Sequence, residues 1–285
     1  MINKTEDVGT ESVFRTFPYE VLAGLDDLDV TVQESECEFR FNFGKVYWNT
    51  RLNTEHTRMI DKFHEGETVC DVMAGVGPFA VPAGKRHVFV HANDLNPQSF
   101  EALSHAIKRN KVDQFVTASC EDGRTFILSS TRNLPKRRRT VTPRSPRPRS
   151  KTVTGAPPGE GAASPGQILL EEPASFDHYV MNLPASAVEF LDAFKGVYMG
   201  REAEFQPQTE RKLSMVHVYC FSPRMDTEEE EFKAVCGLVS KHLGRTITLD
   251  TPDTEIRYVR LVSPKKKMFC VSFRLPPEVA FAHVE

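Results

Sequence analysis

The chain has no Cys-x-x-Cys pair, no long uninterrupted apolar run, no internal repeat and no large excess of one charge. Its six cysteines, at positions 37, 70, 120, 220, 236 and 270, lie mostly in apolar runs. They read as buried, reduced thiols of an intracellular protein, which excludes a disulfide framework or a zinc site as the organising device. Without a long apolar run there is no candidate bilayer span, so no membrane attachment is expected. The amino-terminal Met1-Ile-Asn-Lys-Thr-Glu-Asp7 carries no signal-peptide apolar region and is too acidic for a typical transit peptide. The expectation is a protein of the cytoplasm and nucleus, with the mitochondrial matrix as a further compartment. A net charge of −3 gives no global sign of nucleic-acid binding. Locally the balance differs, because nine Lys or Arg and no acidic residue fall between Thr131 and Thr154.

At 285 residues the chain can bury one good core, or one domain with a smaller appendage. Residues 1–12 read as a disordered terminus. Residues 13–52 read as a small β-rich subdomain, in which Glu38-Phe-Arg-Phe-Asn-Phe43 alternates with period two. A helix over 54–63, capped by Asn53 or Thr54, leads into the main α/β domain, 53–285. There strands ending at Asp71, over 88–92, 115–118 and 178–181, alternate with helical patterns, notably 97–110. That order specifies a parallel sheet with right-handed crossovers. Further on, 187–198 and 228–243 read as helices and 214–221 as a fifth strand. The runs 246–249, 256–261 and 268–273 close the sheet, the last two as an antiparallel edge hairpin. The Pro-, Gly-, Ser- and Arg-rich stretch at about 131–167 cannot bury enough apolar surface to order itself and reads as an insertion. A solvated spacer is its first reading, with nucleic-acid attraction or a nuclear-import signal behind.

The chemistry concentrates where strands end. Asp71-Val-Met-Ala-Gly-Val-Gly-Pro-Phe79 places Gly75 and Gly77 on a strand-to-helix turn, where glycine lets the backbone approach a ligand. The same glycines satisfy a relaxed dinucleotide fingerprint. A carboxylate at the strand end would repel a pyrophosphate, however, and Asp71 is such a carboxylate. S-adenosylmethionine offers an ammonium, a sulfonium and a ribose diol instead, all suited to acidic side chains. Asp94, 17 residues beyond Gly77, is placed to accept the ribose hydroxyls. Asp122, in Glu121-Asp122-Gly123, is placed to hold the adenine amine. The plainer alternative is that Asp94 and Asp122 are helix N-caps. Met181-Asn-Leu-Pro184 supplies an amide that can donate and accept against a base edge, next to a proline that stiffens the loop. Enzymes that use S-adenosylmethionine to methylate a planar nitrogen carry Asn or Asp before Pro at this place.

Together with Phe14-Arg-Thr-Phe17 and Val46-Tyr-Trp-Asn-Thr-Arg-Leu-Asn-Thr-Glu-His56, these motifs follow one order. That order resembles the archaeal and eukaryotic tRNA (guanine-N1)-methyltransferase family, from about residue 13 to 276 and outside the insertion. The family modifies the guanine just 3′ of the anticodon, tRNA position 37. The resemblance implies a Rossmann-like class I methyltransferase sheet, S-adenosylmethionine as methyl donor, tRNA as partner and a monomer. It also implies Glu55 as general base, Arg15 as the catalytic arginine stabilising charge on O6, and Asn182 as the residue orienting guanine. Tyr47, His56, Asp94, Leu95, Asp122 and Gly123 then fall at cofactor contacts, beside Asp71, Gly75, Gly77, Asn182 and Pro184. Read alone, Glu55 is better explained as a first-turn carboxylate favoured by the helix dipole, and Arg15 as a surface cation. The family normally carries a further amino-terminal domain that grips the tRNA elbow; this sequence begins just upstream of Phe14, and reads as a fragment or as a protein that has lost that domain. The expectation is that cofactor binding survives while tRNA affinity and discrimination weaken. Two other readings stand behind: another base or amide N-methyltransferase, and a non-catalytic RNA-binding paralogue or fragment.

Overall fold

The computed structural model describes residues 2–4, 14, 16, 19–143, 169–264 and 266–283. β1 (Ile2–Lys4) pairs antiparallel with β2 (Tyr19–Val21), so the expected disordered terminus contains a strand. β3 (Asp29–Glu34) and β4 (Cys37–Asn42) form a hairpin whose turn residues, Ser35 and Glu36, both take positive φ. That mirror-image turn matches the natural twist of two strands. The hairpin is tied to the main domain by Asn110, whose side chain accepts from the Glu38 amide at 2.9 Å and donates to the Glu38 carbonyl at 2.8 Å. Its buried Cys37, Phe39 and Phe41 share one apolar core with Met59, Phe79 and Leu103. The amino-terminal β-rich segment is thus packed into the main domain.

After Trp48 the chain makes a 3₁₀ turn over Thr50–Leu52, capped by Asn49, and then α1 (Asn53–Ile60). The expected cap at Asn53 or Thr54 therefore moves to Asn49, whose side chain accepts from the Arg51 amide. β5 (Thr68–Asp71), α2 (Ala80–Lys85), β6 (Phe89–Asn93), α3 (Pro97–Arg109), β7 (Val116–Ser119) and α4 (Gly123–Asn133) follow in the expected alternation. β8 (Thr140–Val141) and β9 (Leu170–Glu171) form a short antiparallel pair. β10 (His178–Met181), β11 (Met215–Pro223), α5 (Glu228–Leu243), β12 (Glu255–Ser263), β13 (Lys266–Arg274) and α6 (Pro277–Ala280) complete the chain. The stretch read as a helix over 187–198 is a 3₁₀ segment, Ala187–Phe194. The run 246–249 is no strand. The Ile247 amide donates to the Ser240 hydroxyl and the Thr248 amide to that of Thr251, and these bonds replace a ladder.

The large sheet has the order β12-β13-β11-β10-β5-β6-β7, parallel except for β13, which runs against both neighbours. β5 and β10 are buried along their whole length, as strands covered on both faces must be. One face carries the core shared by α1, α2, α3 and the β3–β4 hairpin; the other is filled from α4, α5 and the 3₁₀ segment. The chain winds outward from β5 through β6 and β7, then returns to the other side of β5 at β10. This reversal opens a crevice at the carboxyl ends of the strands. Of the six cysteines only Cys120 is exposed.

α4 continues to Asn133, and Leu134 and Val141 are buried, so helical and packed structure occupies the expected start of the insertion at 131. Residues 144–167, the rest of that insertion, lie outside the described residues. Its base is closed by a buried ion pair. Glu172, fully inaccessible, binds Arg139 through both oxygens, at 2.5 and 2.9 Å, and His91 Nε2 lies 2.8 Å away. Burial alone would raise the Glu172 pKa, but the bonds from Arg139 and His91 prevail and pull it down to about 2. Its stabilising effect is therefore complete above the unfolded value near 4.5 and is lost as pH falls toward 2. Glu172→Gln is expected to lower unfolding free energy by about 3 kcal/mol at pH 7, with the difference falling to less than half of that at pH 3. Urea titrations at pH 7 and pH 3 check this; equal losses at both would refute it.

Candidate functional site

The turn after β5 is held from three sides. The Ala74 amide donates to the Asn93 carbonyl at 2.7 Å, the Gly77 amide to the Ala74 carbonyl, and the Gly75 amide to Asp94 Oδ2 at 2.8 Å. Gly75 and Gly77 both take positive φ, +58° and +95°. A Cβ at Gly77 would also sit 2.6 Å from Leu103 and 2.9 Å from Val81. Only glycine fits there, because the turn must lie flat against α2 and α3. Asp94 accepts the Asn96 amide on its other oxygen at 2.9 Å. It is not the cap of α3; Asn96 is. Asp122 does cap α4, accepting from Arg124 and Thr125.

Above this turn opens a crevice of about 990 Å³, counting its mouth. Tyr47, His56, Gly75, Asp94, Leu95, Asp122, Gly123 and Asn182 all line it. His56 is buried, with Nδ1 2.5 Å from the buried Glu34 and its ring edge-on to Phe79, so the ring is fixed as part of the wall. Gly123 is required there too, since a Cβ would meet the Phe190 ring at 2.9 Å. Asp71 and Gly77 stand behind the lining rather than in it. Asp71 is fully buried, and neither carboxylate oxygen has a well-formed hydrogen bond among the described residues. Burial, and next the charge of Asp94, push its pKa up to about 8 against the opposing pull of the Met73 amide. Burial also raises Asp94, against the amides of Asn96 and Gly75. The site thus keeps two close carboxylates short of positive charge.

A second, smaller cavity shares Tyr47, Asn49, Leu52 and Asn182 with the first. Its other walls are Pro184, Phe221, Arg260, Val262 and Met268. Asn182 and Pro184 are held at the tip of β10, where the Pro184 carbonyl accepts the Phe221 amide. Glu55 lines neither cavity. It sits one turn along the helix from Leu52, with Arg58 Nε 2.7 Å from Oε2, Arg58 Nη2 2.6 Å from Oε1, and the Tyr219 hydroxyl donating to Oε1 at 2.8 Å. A carboxylate offers about four acceptor positions, and among the described residues these three bonds leave one on Oε2 unused. Arg15 lies outside the described residues.

Residue-by-residue reading missed Trp48, Phe190 and Arg260. Trp48 lines the crevice, and its indole N–H is buried with no hydrogen-bond partner among the described residues; it stands within the Val46–His56 motif and could have been read from it. Phe190 and Arg260 carry no local sequence signal, because a packing contact and a strand irregularity bring them to the cavities.

Residues 30–134 match the model of the TRM5/TYW2 methyltransferase domain. The chain is 52% identical over 293 aligned residues to a tRNA (guanine(37)-N(1))-methyltransferase of Aspergillus fumigatus, covering 100% of this chain and 61% of that one. The chain spans about 60% of the length of the curated relatives it matches. Among solved structures, the complex of aTrm5 with tRNALeu superposes with a TM-score of 0.59 at 20% identity, covering 96% of this chain and 60% of that one. TYW2 of M. jannaschii in complex with AdoMet gives 0.55 at 19% identity, covering 89% and 88%. These two likenesses concern the fold: the α/β sheet with its small amino-terminal β-pairs. Among the described residues no helix is long and apolar enough to cross a membrane.

Proposed function

The chain belongs to the TRM5/TYW2 methyltransferase family, and from that premise we propose that it methylates N1 of the guanine 3′ to the anticodon, position 37, in tRNA. The supporting observation is the pair of cavities that meet at Asn182. The larger is lined by Asp94, Asp122 and Gly75; the smaller is walled by Pro184, Phe221, Arg260 and Met268. The larger suits S-adenosylmethionine. Asp94 in the lining and Asp71 buried behind it, neither paired with a cation among the described residues, suit a ligand carrying an ammonium and a sulfonium. Asp94 and Asp122 retain acceptor capacity toward hydroxyl and amine groups. When bound, that ligand supplies an electrophilic methyl group.

What this chain's residues contribute is position and proton handling. Asn182, between the two cavities, is the amide that would pair with the guanine edge, and Pro184 fixes its loop. Guanine N1 carries a proton at neutral pH, and its lone pair becomes available only as that proton leaves. Glu55, with one acceptor position unused among the described residues, is our candidate to receive it. Negative charge then develops on O6, where Arg15 is the proposed donor on the strength of the family motif.

The test incubates this chain with labelled S-adenosylmethionine and an unmodified tRNA bearing guanine after the anticodon, beside a guanine-to-adenine variant. The expected product is N1-methylguanine in the first tRNA alone. Cofactor binding without any transfer would make this chain a binder and overturn the catalytic reading; label on adenine would reassign the substrate.

A further inference from the structure

The edge strand β12 carries an irregularity that bears on how RNA reaches the second cavity. Tyr258 pairs with Phe269, and the next pair is Arg260 with Met268, so Val259 is an extra residue, a bulge. A second register shift follows between Leu261 and Ser263. Before the bulge, Glu255 faces the α1 side, bonded to Lys62 at 2.7 Å and 3.5 Å from Arg58. Arg257, opposite Cys270, shares that side, whereas Tyr258 packs on Phe269, which packs on Phe232 of α5. In an uninterrupted strand Arg260 would follow Ile256 and Tyr258 to the α5 side, since side chains alternate. The bulge reverses it, and Arg260 lines the second cavity beside Met268 and Asn182. Bulges recur next to binding sites because they re-aim a side chain in this way.

The charges on this side are uneven. Glu55 and Glu255 are engaged by Arg58 and Lys62. Arg257 and Arg260 form no ion pair among the described residues, although Arg257 adds a weaker attraction to Glu255. Cations on an edge strand also deter unwanted strand pairing. That accounts for Arg257 but not for turning Arg260 into a cavity wall. Resting on the function proposed above, we propose that the bulged edge of β12 docks the RNA backbone flanking the target base, with Arg260 on the phosphate at the cavity mouth and Arg257 on the next.

The test measures binding of the full chain to an unmodified anticodon stem-loop RNA between 50 and 300 mM salt, with KM and kcat for methyl transfer. Each lost phosphate contact on a single strand should reduce the log-log salt slope by about 0.7. Arg260→Gln is expected to do this and to raise KM by roughly 5–10-fold, with the effect confined to KM. Arg257→Gln should add a second, similar step. Arg260→Lys should restore most affinity, because a point charge serves a phosphate, whereas a forked contact to a base would stay lost. Deleting Val259 should mimic Arg260→Gln; the point variants carry the test if that deletion disturbs folding. An unchanged salt slope in both glutamine variants, with binding and methylation intact, overturns this proposal alone, as does an Arg260→Lys as impaired as Arg260→Gln. If the unaltered chain neither binds the stem-loop nor methylates it, the functional reading falls with it.

Discussion

Glu55→Gln is expected to slow single-turnover methyl transfer at pH 7 by about 10²–10⁴-fold, the usual weight of a positioned general base. The geometry makes the experiment informative because Glu55 is also a structural carboxylate. It is buried, clasped through both oxygens by Arg58 and bonded by the Tyr219 hydroxyl. An amide there turns an N–H toward a guanidinium and leaves Arg58 short of an acceptor, which by itself costs stability. A rate loss alone therefore cannot assign the role. The pH dependence can. If Glu55 takes the N1 proton, raising the pH until guanine ionises unaided should close much of the gap between variant and parent. If Glu55 only holds Arg58 and Tyr219 in place, the ratio of the two rates stays constant with pH, and the assignment fails. Thermal midpoints and cofactor affinity, measured beside the rates, show how much of the loss is folding.

The same residue shows what a sequence can and cannot reveal. Hydrophobic period and turn chemistry made β5, β6, β10 and α5 legible to within a residue or two, since each has an apolar pattern bounded by Gly, Pro or a capping residue. The Gly75–Gly77 turn was legible because the glycines follow an apolar strand run and precede a helical one, and both take positive φ. Contacts between distant strands were not. Tyr219, 164 residues from Glu55, is brought to it only by the sheet order. Arg260 would have been placed on the wrong side of β12, since an inserted residue leaves no mark in a nine-residue run. Nor does Trp48 announce that its N–H will be buried with no partner among the described residues. The packed chain beyond α4 is hidden for a related reason. Lys136-Arg-Arg-Arg139 looks like solvated charge until Glu172, 33 residues beyond Arg139, is seen to hold it.

Asp71→Asn is expected to stabilise the free protein and weaken its ligand, two effects with one cause. In the fold, burial and the neighbouring Asp94 push Asp71 up to about 8, against 3.8 when exposed. Between those values the folded state holds a proton that the unfolded state has released, so stability falls as pH rises through the window. Asparagine carries no charge to bury. The variant should gain on the order of 5 kcal/mol in unfolding free energy near pH 8 and almost nothing near pH 3, as read by urea titration. Binding reverses the account, because a ligand carrying an ammonium and a sulfonium favours the ionised carboxylate. At pH 7, association should release close to one proton (~0.9 for a group titrating near 8), measurable by calorimetry in buffers of different ionisation enthalpy. Affinity should then climb with pH and level off above 8. Asp71→Asn should abolish that release and weaken binding by about 10–100-fold, the range for losing a charged partner. A variant that still releases the proton would move the coupling to Asp94, whose carboxyl is raised in the same direction and lies at the cavity wall. A variant that binds as tightly as the parent would mean that Asp71 serves only to hold the strand end, and the acidic floor would have to be explained without a cationic ligand.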